Sequence, residues 1–287
     1  MTQPVNQPPR TKVFLEARYR KLSRDLPQTV FFCPECKGHP RRRRKCERCE
    51  GFGKLTRDSV QELVAWVVAK GFGTRKTKFH GAGREDVDVR MLGDGRPFVL
   101  ELVDPKVFDA DLAELEAEVN RRNEGRLEIR GLCHSDKKRV VELKETHHAK
   151  EYEAVVAIEG DVGPDALDEY LGRRIEITQR TPSRVAHRRA DLDRQRWIEL
   201  LEFERLEATP DETDAKRWRL RLRTQHGTYV KEVLSGEEER TTPSLASLIG
   251  VPCRCEALDV LAILGDEGES IQRRKMPSFG AGLDATD

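Results

Sequence analysis

By type and context, Asp86 is the residue of this chain best placed to do chemistry. It lies in FHGAGREDVDVRMLGDGRPF, residues 79–98, where four glycines and three arginines surround the acids Glu85, Asp86 and Asp88. Gly81, Gly83, Gly93 and Gly95 permit tight turns or close approach of another group, which a Cβ resists. Val87, Val89 and Met91 alternate with Asp88 and Arg90, a period of two that predicts a short strand. On that reading Asp86 sits where a glycine-rich turn enters a strand, rigidly held yet open to a ligand. Arg84, Arg90 and Arg96 are near enough in sequence to offset a carboxylate's charge or to bind phosphate. A surface turn with ordinary ion pairs satisfies the same spacing.

The second chemical signal is a pair of CxxC turns, Cys33-Pro-Glu-Cys36 and Cys46-Glu-Arg-Cys49, separated by nine residues. Each turn supplies two thiolates, and Cys33, Cys36, Cys46 and Cys49 together close a tetrahedral shell with no open position, the pattern of a structural zinc. Between the turns run Arg41, Arg42, Arg43, Arg44 and Lys45, expected on a loop suited to phosphate contacts, with a plain solubilising loop as the alternative.

Charge supports a polyanion partner. The formal net charge of the 287 residues is +1, but residues 1–57 carry fifteen Lys/Arg against five Asp/Glu, which leaves a basic N-terminal segment on an acidic remainder. No apolar run approaches the roughly 18–20 residues that span a bilayer, and MTQPVNQPPR lacks a signal-peptide core. The expectation is a soluble cytoplasmic protein whose seven cysteines are reduced thiols or metal ligands, not disulfides.

The elements that must position these residues follow in order. Residues 1–10, with three prolines, are expected to be disordered, and 13–29 to form a short helix or extended arm. Ser59 and Glu62 form a capping box that opens a helix through Lys70, with Val60, Leu63, Val64, Val67 and Val68 on one face. Strands are predicted over 98–103, 151–159, 174–179, 197–206, 218–224 and 257–264, and helices over 109–123, 165–171 and from the Thr242-Pro243 cap to Gly250, with Leu245 and Leu248 inward. Residues 127–143 read as a hairpin with a basic tip at 135–139. Trp197 and Trp218 are expected in the core, and Cys253 and Cys255 as buried thiols facing one way. The implied organisation is a loose arm (1–10), a basic lead-in with the cysteine knuckles (11–57), a main domain (58–265) and a loose tail (266–287).

GREDVDVR at 83–90, followed by LG at 92–93 and GRPF at 95–98, resembles the catalytic motif of the archaeal and eukaryotic tRNA pseudouridine-54/55 synthase family. Further matches come in the family's order. RYRKLSRDLPQT (18–29) resembles its lead-in, and KEYEA (150–154) its KxYxA signature. QRTPSRVAHRRAD (179–191) is similar to an active-site loop, and GTYVK (227–231) to its GTYxK/R motif. The resemblance implies an α+β pseudouridine synthase fold, a mixed and mainly antiparallel sheet with flanking helices. It implies isomerisation of uridine to pseudouridine in RNA, in the T-arm of tRNA at position 54 or 55, without an organic cofactor.

By the same resemblance Asp86 is catalytic, Tyr152 stacks on the uracil and Lys231 pairs with Asp86. RNA contacts fall to Arg180, Arg184, His187, Arg188 and Arg189, with Tyr229 beside them, Leu248 against the uracil, and Arg84 and Arg90 orienting phosphate or the Asp86 turn. Family members usually carry a large N-terminal RNA-binding domain of the THUMP type. Here few residues precede the catalytic segment, so a different mode of RNA binding is expected. Three other readings stay open: a pseudouridine synthase acting on another RNA, a non-catalytic zinc-bearing RNA-binding protein, and a Mg²⁺-dependent phosphodiesterase using Asp86, Asp88 and Glu101.

Overall fold

A computed structural model describes residues 11–187, 189–207 and 216–264. The predicted loose ends, Arg188 and most of the turn between the two tryptophan strands lie outside the described residues. The fold is mixed α+β with a mainly antiparallel sheet. The chain packs as two compact units, one of 11–88 and Asp94–Thr146, the other of Val89–Gly93 and residues from 147 onward.

In the first unit, strand β1 (Lys12–Lys21) pairs antiparallel with β4 (Leu127–Ser135), and β2 (Lys76–Gly81) pairs antiparallel with β3 (Arg90–Val103). Helix α1 (Pro40–Arg43) and a 3-10 turn over Glu47–Cys49 belong to the cysteine knuckles. Helix α2 (Val60–Gly71) forms as its spacing predicts: Ser59 caps it by accepting the Glu62 N–H, and Val60, Val64, Val67 and Val68 are buried. Its free N–H groups at Val60 and Gln61 donate to the carbonyls of Pro27 and Gln28, which ties the helix start to the segment after β1. Helix α3 (Leu112–Arg122), capped by Asp111, packs on β4 and α2.

The expected hairpin over 127–143 is instead β4 followed by helix α4 (Lys137–Glu145). Asp136 accepts the Arg139 N–H as an N-cap, and Val140 and Leu143, three apart, bury together against Ala82, Val99 and Phe14. The uncertain 13–29 segment opens as β1. Strand β3 starts at Arg90, so the short strand expected through Val87 and Val89 is a turn, and the 98–103 strand reaches eight residues further back.

In the second unit the strand order is β10-β5-β8-β7-β6-β9, with β5 Lys150–Ile158, β6 Arg174–Arg180, β7 Asp193–Arg205, β8 Lys216–Thr224, β9 Thr241–Thr242 and β10 Cys253–Ile263. Arg90 and Met91, at the start of β3, lie parallel to Asp259 and Val260 of β10. On β8, Trp218, Leu220, Leu222 and Thr224 are buried, while Arg217, Arg219, Arg221 and Arg223 meet glutamates on the other face. Trp218 stacks on Phe203 at 4.3 Å, and Trp197 is 8% exposed, so both tryptophans are core as expected.

Short helices α5 (Ser183–Ala186), α6 (Val230–Ser235) and α7 (Leu245–Ile249) complete this unit. The cap of α7 is Ser244, not Thr242, which belongs to β9; Leu245 is buried and Leu248 stays partly exposed. The helix expected over 165–171 is a run of turns with Leu167 buried, because only Leu167 of that short polar stretch has a core to enter. Cys253 is buried and donates to the Leu234 carbonyl, whereas a bulge after Cys255 leaves that thiol half-exposed.

Gly93 shows why the motif needs a glycine inside a strand. At φ +54° a Cβ would stand 1.9 Å from the Leu261 carbonyl oxygen. Gly172, at φ +70°, has nothing within 4 Å of that position. Gly172→Ala should therefore cost only the left-handed backbone penalty of about 1–2 kcal/mol. Gly93→Ala should cost on the order of 3–4 kcal/mol in urea denaturation, because backbone cannot step aside. Equal losses would contradict the close approach.

Candidate active site and metal centre

Asp86 lies in an irregular segment four residues before β3, half-buried, with Arg84 exposed beside it. Irregular backbone cannot satisfy its own carbonyls, and a buried unpaired carbonyl is costly. Here the solution is a set of side chains from 18–28. Lys21 is fully buried, and its Nζ donates to the carbonyls of Leu26, Asp86 and Val87 at 2.7, 3.0 and 2.9 Å. Gln28 Nε2 donates to the Gly83 carbonyl, Arg24 to that of Asp88, and Arg18 forks onto those of Asp94 and Gly95.

Beneath this ring of donors sits a sealed ion pair. Glu85 and Arg96 meet at 2.8 Å with both side chains 1% exposed. Tyr19 Oη donates to Glu85 at 2.7 Å and accepts from Gln28 Nε2 at 2.9 Å. Arg96 also donates to the Ala82 carbonyl. Burial first, and the Glu85 charge next, push the Tyr19 phenol well above its ordinary pKa, so it stays a donor. Tyr19 is thus part of the core. Sequence reasoning missed Glu85, Lys21 and Gln28 as positioning residues. The signal was present in RYRKLSRDLPQT, a stretch unusually rich in long donors ahead of a glycine-rich loop.

The second unit places the other motif residues. Gln179 clamps the entry to α6: its Oε1 accepts the Tyr229 N–H at 2.7 Å and its Nε2 donates to the Tyr229 carbonyl at 3.1 Å. Lys231 follows in the first turn of α6, half-buried. Arg184 is paired with Glu232 at 2.6 Å and lies over the Tyr229 ring at 5.8 Å; Arg180 is paired with Asp191 at 2.6 Å. These two arginines of the expected RNA loop therefore brace their own unit, while His187 and Arg189 are exposed. Arg90 is likewise committed, forked onto Asp259 at 3.0 and 2.6 Å. Tyr152, on β5 opposite Val260 and Leu222, is 9% exposed. Asp86 belongs to the first unit, and Tyr152 and Lys231 to the second.

Glu101 is on β3, bound by Lys12 and His80. Burial works to raise it, but hydrogen bonds from Lys12 and His80 and the nearby lysine charges hold it at about 2. Among the described residues the group of side chains that gathers as a possible metal site is the four cysteines, and Asp86, Asp88 and Glu101 are not part of it.

The four cysteines do gather. Their sulfurs all lie within 4.8 Å of one another, with Cys33–Cys46 and Cys36–Cys49 each at 3.7 Å. Tetrahedral Zn–S bonds of about 2.3 Å put sulfurs roughly 3.8 Å apart, so the cluster fits the ion. Backbone N–H groups of the first knuckle, that of Cys36 foremost, hold the Cys33 thiol down to about 7, whereas burial raises Cys36 and pushes Cys46 up to about 12; the Gly53 N–H donates to Cys49 Sγ at 3.1 Å. Arg41, Arg42, Arg43 and Arg44 are all exposed, on and just after α1 and not on a plain loop.

A family model described as Pus10, C-terminal, matches residues 14–264, and this chain belongs to that family. It is 45% identical over 253 residues to the tRNA pseudouridine synthase Pus10 of Methanothermobacter marburgensis, covering 88% of this chain and 60% of the relative. It is 43% identical over 259 residues to that of Halorubrum lacusprofundi, covering 88% and 58%. The chain thus spans about three-fifths of the length of these relatives. A crystal structure of a Cbf5–Nop10–Gar1 complex aligns over 71% of this chain and 45% of its own at 22% identity and a TM-score of 0.37, too loose a likeness to argue from.

Lys21 is testable directly. Burial lowers its pKa from 10.5 to about 8, against the raising effects of Glu85, Asp88 and Asp86. Between about 8 and 10.5 the folded chain has released this proton and the unfolded chain keeps it, so the group's contribution to stability rises with pH across that window. Lys21→Met, which strands three carbonyls, should cost about 2–4 kcal/mol at pH 7. The gap to wild type should widen from pH 8 to pH 10 in urea denaturation. A gap that narrows would contradict the lowered pKa of Lys21, and a Lys21→Met protein as stable as wild type at pH 7 would contradict the clasp.

Proposed function

We propose that this chain isomerises uridine to pseudouridine in tRNA, in the T-arm at position 54 or 55, with Asp86 as the catalytic residue. The observation that carries the reading is the Asp86 loop: a half-buried carboxylate on irregular backbone whose carbonyls at Gly83, Asp86, Val87 and Asp88 accept four side-chain hydrogen bonds, with a sealed ion pair below. That investment in one loop suits a group that must meet its substrate in a fixed pose. The names of the relatives, and the family to which the chain belongs, point to the same chemistry.

In the reaction the target uridine leaves its stack, at a cost of a few kcal/mol. With Asp86 acting at the sugar or base, the N1–C1′ bond breaks and the uracil turns. C5 then bonds to C1′, the C5 proton is released, and N1 regains a proton, so substrate and product are isomers. Tyr152 stacks on the ring and Lys231 offsets the Asp86 charge. Arg84, His187, Arg189 and the Arg41–Arg44 run are the phosphate contacts, Tyr229 and Leu248 line the uracil, and the reaction needs no organic cofactor. Arg180, Arg184 and Arg90 support these groups through their ion pairs. We also propose that the four cysteines hold a structural zinc, and that the protein works in the cytoplasm; no described helix is long and apolar enough to cross a membrane.

Purified protein incubated with unmodified tRNA transcript, followed by carbodiimide labelling and reverse transcription, should give a stop in the T-arm with wild type and none with Asp86→Ala. No stop on tRNA or on total RNA from a strain lacking the enzyme would overturn the reading. Elemental analysis should find about one zinc per chain, lost in Cys46→Ser together with stability of the knuckle region. Metal-free native protein would refute the zinc assignment.

A further inference from the structure

The cysteine knuckles carry apolar surface that neither metal binding nor the core uses. Phe31–Cys33 and Gly53–Leu55 form a small ribbon, with Cys33 N–H on the Gly53 carbonyl at 3.0 Å and Leu55 N–H on the Phe31 carbonyl at 2.8 Å. Phe52, one residue before it, is 50% exposed, and Phe32 and Leu55 are 55% and 38% exposed. The turn that presents Phe52 is fixed: its N–H donates to the Cys49 carbonyl at 2.7 Å and the next N–H to Cys49 Sγ. An open depression here is lined by Arg48, Glu50, Phe52, Lys54, Leu55 and Arg57 among others. Lys54 Nζ, paired with Glu62, stands 5.4 Å over the Phe52 ring. Arg43 packs its side chain against Gly53, so the arginine run and Phe52 share one turn.

Residues 31–57 hold nine Lys/Arg against three acids, which makes a basic surface around an aromatic floor. An unpaired nucleotide matches both parts of this surface at once. Its base offers a π face and its flanking phosphates offer charge. Duplex RNA, with its bases hidden, satisfies only the arginines.

We propose that the knuckle surface binds an unpaired nucleotide of the RNA substrate, its base stacked on Phe52 and its phosphates held by Arg48 and Arg57. This rests on the reading of the chain as an RNA-modifying enzyme, and gives the zinc knuckle the task of selecting loop over helix.

The test is fluorescence anisotropy on the full chain, zinc content checked for every variant, with a labelled RNA hairpin carrying an unpaired loop and a blunt RNA duplex. Phe52→Ala should weaken the loop RNA about tenfold, leave the duplex and the salt slope unchanged, and be restored by Phe52→Trp. Arg48→Gln with Arg57→Gln should flatten the salt slope. Unchanged loop affinity in a zinc-loaded Phe52→Ala protein would overturn the proposal and leave the surface to a protein partner; equal loss on loop and duplex would also overturn it. Pseudouridine formation by wild type on tRNA is scored in parallel. Product with unchanged Phe52→Ala affinity defeats this site alone, while no product defeats the enzymatic reading.

Discussion

The sealed contact between Glu85 and Arg96 is what the first unit is arranged around. Two charges with 1% of their side-chain surface exposed would be a liability if either lost its partner. The protein surrounds them accordingly: Tyr19 takes a further lone pair of the carboxylate, Gln28 satisfies Tyr19, and Ala82 accepts from the guanidinium. The Tyr19–Glu85 bond joins residues 66 apart in sequence, so the pair ties β1 to the loop after β2 and to the middle of β3. Asp86 follows Glu85 directly. Fixing one acid in the core leaves its neighbour on the rim, and the Lys21 ammonium then fixes the backbone of that neighbour.

The second unit uses a milder version of the same device. Gln179 at the end of β6 meets both polar backbone groups of Tyr229, so the first turn of α6, with Lys231, leaves the sheet in a defined direction. Glu232, buried behind it, is paired by Arg184 from α5. In both units a residue credited with chemistry is held through its backbone by an unremarked neighbour.

Much of this was legible in sequence, and the boundary follows from range. Local signals worked: the Ser59 cap, the valine stripe of α2, the CxxC spacing and the alternation of β5 and β8 all depend on residues within a turn or two. What sequence could not settle was the division of labour inside GRED, because Glu85 and Asp86 are equivalent until Arg96 and Tyr19 are seen to surround one of them. Arg90 reads as orienting phosphate or the Asp86 turn because its partner, Asp259, is 169 residues away. The 127–143 segment carries a helix cap, Asp136, three residues before Arg139, beneath its hairpin-like pattern. Its basic residues hid the spacing of Val140 and Leu143, which is that of a helix.

The most direct measurement compares two adjacent carboxylates side by side, Glu85→Gln and Asp86→Asn, by urea denaturation and by single-turnover pseudouridine formation on tRNA. Asp86→Asn should be as stable as wild type and make no product, whereas Glu85→Gln should lose about 3–5 kcal/mol of stability by breaking a buried pair. Product at the wild-type rate from Asp86→Asn, or a Glu85→Gln protein as stable as wild type, would contradict these roles.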